Sequence, residues 1–99
     1  MSDVPGMKRL RARIDALDRK ALQVLARRFE VVREIGELKR AHGLDTYQKT
    51  RWEALMAARL ALGAELGLAP AFTQAFFTAV HQEALRLQRA PARRTRRRG

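Results

Sequence analysis

The chain has 99 residues, 46% hydrophobic and 31% charged, enough for one small domain or one subunit of a larger assembly, with little core to spare. It contains no cysteine, which excludes disulfides, thiolate metal sites and cysteine nucleophiles together and fits a reducing compartment. The net charge of +11 overstates the folded part, because PARRTRRRG (91–99) holds five arginines and no acid, leaving +6 on residues 1–90.

The opening MSDVPGMKRL has no apolar run after its basic residues, so no signal peptide is expected. No stretch approaches the roughly 20 apolar residues of a membrane span, and a soluble cytoplasmic protein is the expectation. The pattern predicts an all-α chain of three helices. The first is very long, from Met7, just past Pro5-Gly6, to Ala41. Two columns spaced by seven run through it: Met7, Ile14, Ala21, Arg28, Ile35 and Leu10, Leu17, Val24, Val31, Leu38. A helix of that length is a rod of roughly 50 Å, too long for a compact domain of this size. His42-Gly43 supplies its stop.

A second helix is predicted from Gln48 to Leu66, with Trp52, Leu55, Met56, Arg59, Leu62 and Leu66 as its inner stripe. Gly67 ends it. Pro70 opens a third helix reaching Gln88 or Arg89, with Phe72, Phe76, Phe77, Val80, Ala84 and Leu87 on its apolar side. Two short helices cannot cover the seam of the first. A second copy laid antiparallel along it, in an intertwined homodimer, is the expected remedy. Residues 1–90 are expected to be the helical domain, and residues 91–99 a basic, disordered tail.

Arg28 is the one charge in the two apolar columns. A buried arginine needs an acid or an anionic ligand. Glu30 and Glu34 are nearby acids, but neither faces position 28 on a helix. Lys39 lies eleven residues on and points the same way as Arg28, about 16 Å along the axis. The pair therefore reads as a grip for a small anion, although a lysine near a helix end is often merely solvated. Arg11 shares the column of Lys39 but is about 42 Å from it, so it can join the same small ligand only from a second, antiparallel chain. Gln48 and Arg51 stand near a helix N-terminus, where backbone N–H groups favour anions; each also fits ordinary helix surface. Gln88 continues the row Phe77, His81, Ala84, and reads either as a partnered buried amide or as a fraying end.

His42 and His81 sit apart, without the spacing of a zinc site, and no acid cluster accompanies them. No nucleophile–base constellation is present. An enzyme built from these residues works without metal, cofactor or covalent intermediate.

The motifs LRARIDALD (10–18), VLARRFEVVREIGELK (24–39), TYQKTRW (46–52), LGL (66–68) and HQEALRLQ (81–88) together resemble the all-α chorismate mutases over residues 7–89. That resemblance implies intertwined three-helix dimers that convert chorismate to prephenate by an intramolecular Claisen rearrangement, on the way to phenylalanine and tyrosine. It implies that Arg28 binds one carboxylate, with Arg11 of the other chain beside it. Lys39 would touch a carboxylate and donate to the ether oxygen, Gln88 would donate to the same oxygen, and Arg51 would line the pocket. Many relatives have an acid at the position of Gln48, a glutamate at that of Trp52 and a serine at that of Ala84. Those groups recognise the substrate's ring hydroxyl, so an isochorismate pyruvate-lyase on the same fold is the alternative. A basic helical dimer that binds nucleic acid is the rival from another class; it would depend on the arginine tail.

Overall fold

A computed structural model describes residues 4–90; the expected tail at 91–99 lies outside them. Three helices follow in order, α1 (Met7–Ala41), α2 (Lys49–Glu65) and α3 (Pro70–Arg89), and there is no strand among the described residues. The all-α expectation holds, with boundaries within one residue of those read from the sequence. Glycine and proline place them. Gly6, Gly43 and Gly67 adopt φ of +89°, +67° and +83°, a region costly for residues with a Cβ, and each flanks a helix end. Past α1 the Leu44 amide reaches back to the Lys39 carbonyl at 2.8 Å, and past α2 the Leu68 amide reaches the Gly63 carbonyl at 2.8 Å. Both bonds satisfy carbonyls that a helix end leaves without partners. Pro70 occupies the first turn of α3, where its missing N–H costs nothing.

The chain divides into two compact units, Met1–Val31 and Val32–Gly99, and the division falls inside α1. In the first unit Leu10, Ile14, Leu17, Val24 and Val31 are 45–60% exposed, so the expected seam is uncovered in a single chain. Arg28 is half-buried there.

The second unit packs α2 on α3 and carries Val32 and Gly36 of α1. Its core is small: Val32, Leu55, Val80 and Ala84 are buried, with Thr73 and Gln88 as buried polar residues. Gly63 lets α2 approach α3, because a Cβ there would stand 2.7 Å from Thr73 Oγ1. The expected stripe of α2 is realised at four of its six positions. Leu55 is buried and Trp52, Met56 and Arg59 are half-buried, whereas Leu62 and Leu66 are exposed, as is Phe72 of α3. These three line an open apolar groove of about 310 Å³ at the turn end of the α2–α3 pair.

A candidate active site at the end of the third helix

Lys39, in the last turn of α1, is half-buried. Its Nζ donates to Gln88 Oε1 at 2.8 Å and to the Thr46 backbone carbonyl at 2.8 Å. An ammonium has three N–H donors, and these bonds occupy two of them. Burial away from water disfavours the charged form, so the Lys39 pKa is lowered from the ordinary lysine value.

Gln88 is 7% exposed, which decides between the two sequence readings in favour of a partnered amide. An ammonium only donates, so the amide oxygen must face Lys39 and the amide nitrogen, a donor, is turned away from it. The Gln88 backbone carbonyl belongs to the last turn of α3, where no intrahelical partner exists, and it accepts from an Arg40 guanidinium nitrogen at 2.8 Å. Gly36 makes this approach possible. A Cβ there would stand 3.1 Å from Gln88 Cα and 3.2 Å from its Cγ.

One turn back along α3, Ala84 is buried. A further turn back, His81 stacks on Trp52 with ring centroids 3.9 Å apart and planes at 17°, and Tyr47 meets His81 edge-on at 5.8 Å. This face of α3 thus runs from a polar, partly desolvated end at Gln88 to an aromatic cluster. Glu53 is exposed and pairs with Lys49.

Of the residues expected at the site, the structure brings Lys39 and Gln88 into contact, and Ala84 lies buried one turn before Gln88 on α3. Gln48 caps α2 without a side-chain hydrogen bond to it, and Gln48 and Arg51 are both exposed around an open depression along the α1–α2 connection. Arg11 is exposed and Arg28 half-buried in the other unit. The sequence reading missed four residues. Arg40 and Arg89 read as ordinary basic residues at helix ends, and Thr46 acts partly through its backbone carbonyl, which no side-chain pattern announces. Gly36 did carry a signal, a glycine inside a long helix four residues from Val32 and three from Lys39.

The chemistry open to such a site is narrow. A partly desolvated ammonium beside a buried amide can stabilise negative charge growing on an oxygen, without moving a proton. No cluster of three or more His, Cys, Asp or Glu that would hold a metal occurs among the described residues. Nor is any described helix long and apolar enough to cross a membrane. Among the described residues the protein is all-helical, and the end of α3 presents an ammonium and an amide as fixed donors.

Residues 10–89 match the family model described as chorismate mutase type II. The chain belongs to that family. It is 42% identical over 59 residues to a T-protein of Haemophilus influenzae, covering 60% of this chain and 16% of that protein. A T-protein of Enterobacter agglomerans is 37% identical over 67 residues, 68% of this chain and 18% of the relative. A 4-amino-4-deoxychorismate mutase of Streptomyces pristinaespiralis is 33% identical over 79 residues, 80% of this chain and 61% of the relative. The chain thus spans less than a fifth of either T-protein and about three fifths of the third relative. No solved structure matches it.

Proposed function

We propose that the protein is a chorismate mutase that rearranges chorismate to prephenate in phenylalanine and tyrosine biosynthesis. The observation that carries this reading is the contact between Lys39 Nζ and the buried amide of Gln88, in a chain of this family. In the rearrangement the ether C–O bond breaks as a C–C bond forms, electron density builds on the ether oxygen, and no proton is transferred. The enzyme's work is to hold the folded conformer and to stabilise that charge, each worth roughly a few kcal/mol. Lys39 donates to the ether oxygen from one side with its remaining N–H, and the Gln88 amide nitrogen donates from the other.

The two carboxylates of the substrate need cations. Arg28 binds one of them, with Arg11 of the partner subunit beside it, and Lys39 shares its one remaining N–H between the ether oxygen and a carboxylate. Arg51 lines the pocket and Gln48 offers a hydrogen bond to the ring hydroxyl. Ala84 contributes a small apolar wall. The protein is an intertwined antiparallel homodimer; the apolar columns left 45–60% exposed in residues 1–31 support this. A cytoplasmic location belongs to the same reading.

The relative named for 4-amino-4-deoxychorismate bears on the choice of substrate. That compound, chorismate and isochorismate share the two carboxylates and the enolpyruvyl ether and differ in their ring substituents. Purified protein given each compound separately is expected to form prephenate from chorismate fastest. Release of pyruvate and salicylate from isochorismate with chorismate untouched would assign the lyase instead. Exclusive turnover of the amino compound would move the specificity to that substrate. Deleting residues 91–99 is expected to leave turnover largely intact, whereas Lys39→Ala or Arg28→Ala lowers kcat/KM about a hundredfold or more. A nucleic-acid-binding protein would show the reverse dependence.

A further inference from the structure

We propose that Arg40, Thr46 and Arg89 are positioning residues, a latch that holds Lys39 and Gln88 in register before substrate arrives; the proposal rests on the mutase reading of that pair. Lys39 is a long side chain at a helix end, and an untethered one samples many rotamers. Here its ammonium is tied to the Thr46 carbonyl at 2.8 Å, but Thr46 lies in the connection between α1 and α2, outside any helix. What fixes Thr46 is its own hydroxyl, whose Oγ1 accepts from Arg89 Nε at 3.2 Å. On the other side, the Arg40 guanidinium grips the Gln88 carbonyl at 2.8 Å.

The connectivity crosses over. Arg89 follows Gln88 in the chain, yet it steadies the residue that holds Lys39. Arg40 follows Lys39, yet it steadies Gln88. Each donor is therefore placed by an arginine adjacent in sequence to the other, and the two ties lock the end of α1, the connection and the end of α3 together. Arg40 and Arg89 are exposed, so neither bond is needed to fill the core. Loosening them leaves the two arginines that bind the carboxylates, Arg28 and Arg11 of the partner subunit, in place and loses the alignment of Lys39 and Gln88 to the ether oxygen. Such a loss appears in kcat rather than in KM.

The test compares wild type with Thr46→Val, which keeps the shape and removes the hydroxyl, with Thr46→Ser, which restores it, and with Arg89→Gln and Arg40→Gln. Steady-state kinetics on chorismate is one arm. The other reads the Lys39 Nζ protons by proton–nitrogen NMR of the ligand-free protein, the resonance being assigned by its absence in Lys39→Arg. T46V, R89Q and R40Q are each expected to lower kcat roughly three- to tenfold with KM within twofold, the loss of one modest hydrogen bond. T46S stays near wild type. In T46V and R89Q the Lys39 protons exchange with water several-fold faster. Unchanged kcat and exchange in T46V and R89Q would overturn the latch, and so would a T46S variant as impaired as T46V. If wild type does not turn over chorismate, the mutase reading fails. The exchange arm then decides the latch alone, faster exchange supporting it and unchanged exchange refuting it.

Discussion

At Lys39 two demands conflict. The proposed chemistry needs the ammonium charged, while partial burial disfavours the charge and lowers its pKa. A group whose protonated form is destabilised loses its proton at lower pH than free lysine, whose pKa is about 10.4. The kcat/KM profile for the free enzyme is therefore expected to be flat on its acid side of that limb and to fall as pH rises through a pKa below that of free lysine. Lys39→Arg removes the limb, because a guanidinium does not titrate there. A limb at or above the ordinary lysine value in wild type would contradict the account. Gln88 gives a complementary expectation. Gln88→Glu puts a carboxylate where a donor is needed, so turnover at neutral pH falls at least tenfold. It recovers as pH drops and the carboxyl gains a proton to donate.

Among the elements, Gly36 ties α1 to the site. Alanine favours a helix interior by about 1 kcal/mol over glycine, but its Cβ would press on Gln88 Cα at 3.1 Å, and overpacking of this kind costs about 1–3 kcal/mol. Gly36→Ala is expected to change stability by less than about 2 kcal/mol in denaturant titration while lowering kcat far more than that change explains. On the α2–α3 pair, Thr73 Oγ1 is buried without a hydrogen-bond partner among the described residues. Thr73→Val keeps the shape and removes the unpaired hydroxyl, so it should stabilise the fold by about 1 kcal/mol. A loss of stability in that variant would show that the hydroxyl has a partner in the assembled protein.

The helix ends were legible because glycine and proline mark them physically: Gly6, Gly43 and Gly67 take positive φ, and Pro70 sits where its missing N–H does no harm. Helical spacing placed Ala84 on the apolar side of α3 and put Lys39 and Gln88 in inward-pointing columns, but it left a solvated lysine and a fraying end as open alternatives for those two. The stripe of α2 was overread, because spacing shows which face is apolar but not what covers it, and Leu62 and Leu66 remain exposed. The ties through the Thr46 and Gln88 carbonyls were not legible, since every residue carries a carbonyl and only the fold chooses which one a cation meets.

For the whole molecule the question is what covers α1. Residues 1–31 leave Leu10, Ile14, Leu17, Val24 and Val31 exposed, and in the other unit Ile35 and Leu38 are 41% and 61% exposed. Apolar rows this extended are rare on the surface of a stable monomer. The proposed homodimer is expected to scatter light at twice the 11.3 kDa chain mass, and a folded species at the single-chain mass would contradict it.

The sharpest measurement combines the site and the assembly. Arg11→Ala and Arg28→Ala chains, each nearly inactive alone, are mixed in equal amounts and allowed to exchange subunits. Half of the dimers then carry both chains, and each of these holds one intact pocket and one doubly damaged pocket, so prephenate formation should return to roughly a quarter of the wild-type rate. Mixtures that stay as inactive as the separate variants, although exchange has demonstrably occurred, would contradict a pocket shared between two subunits.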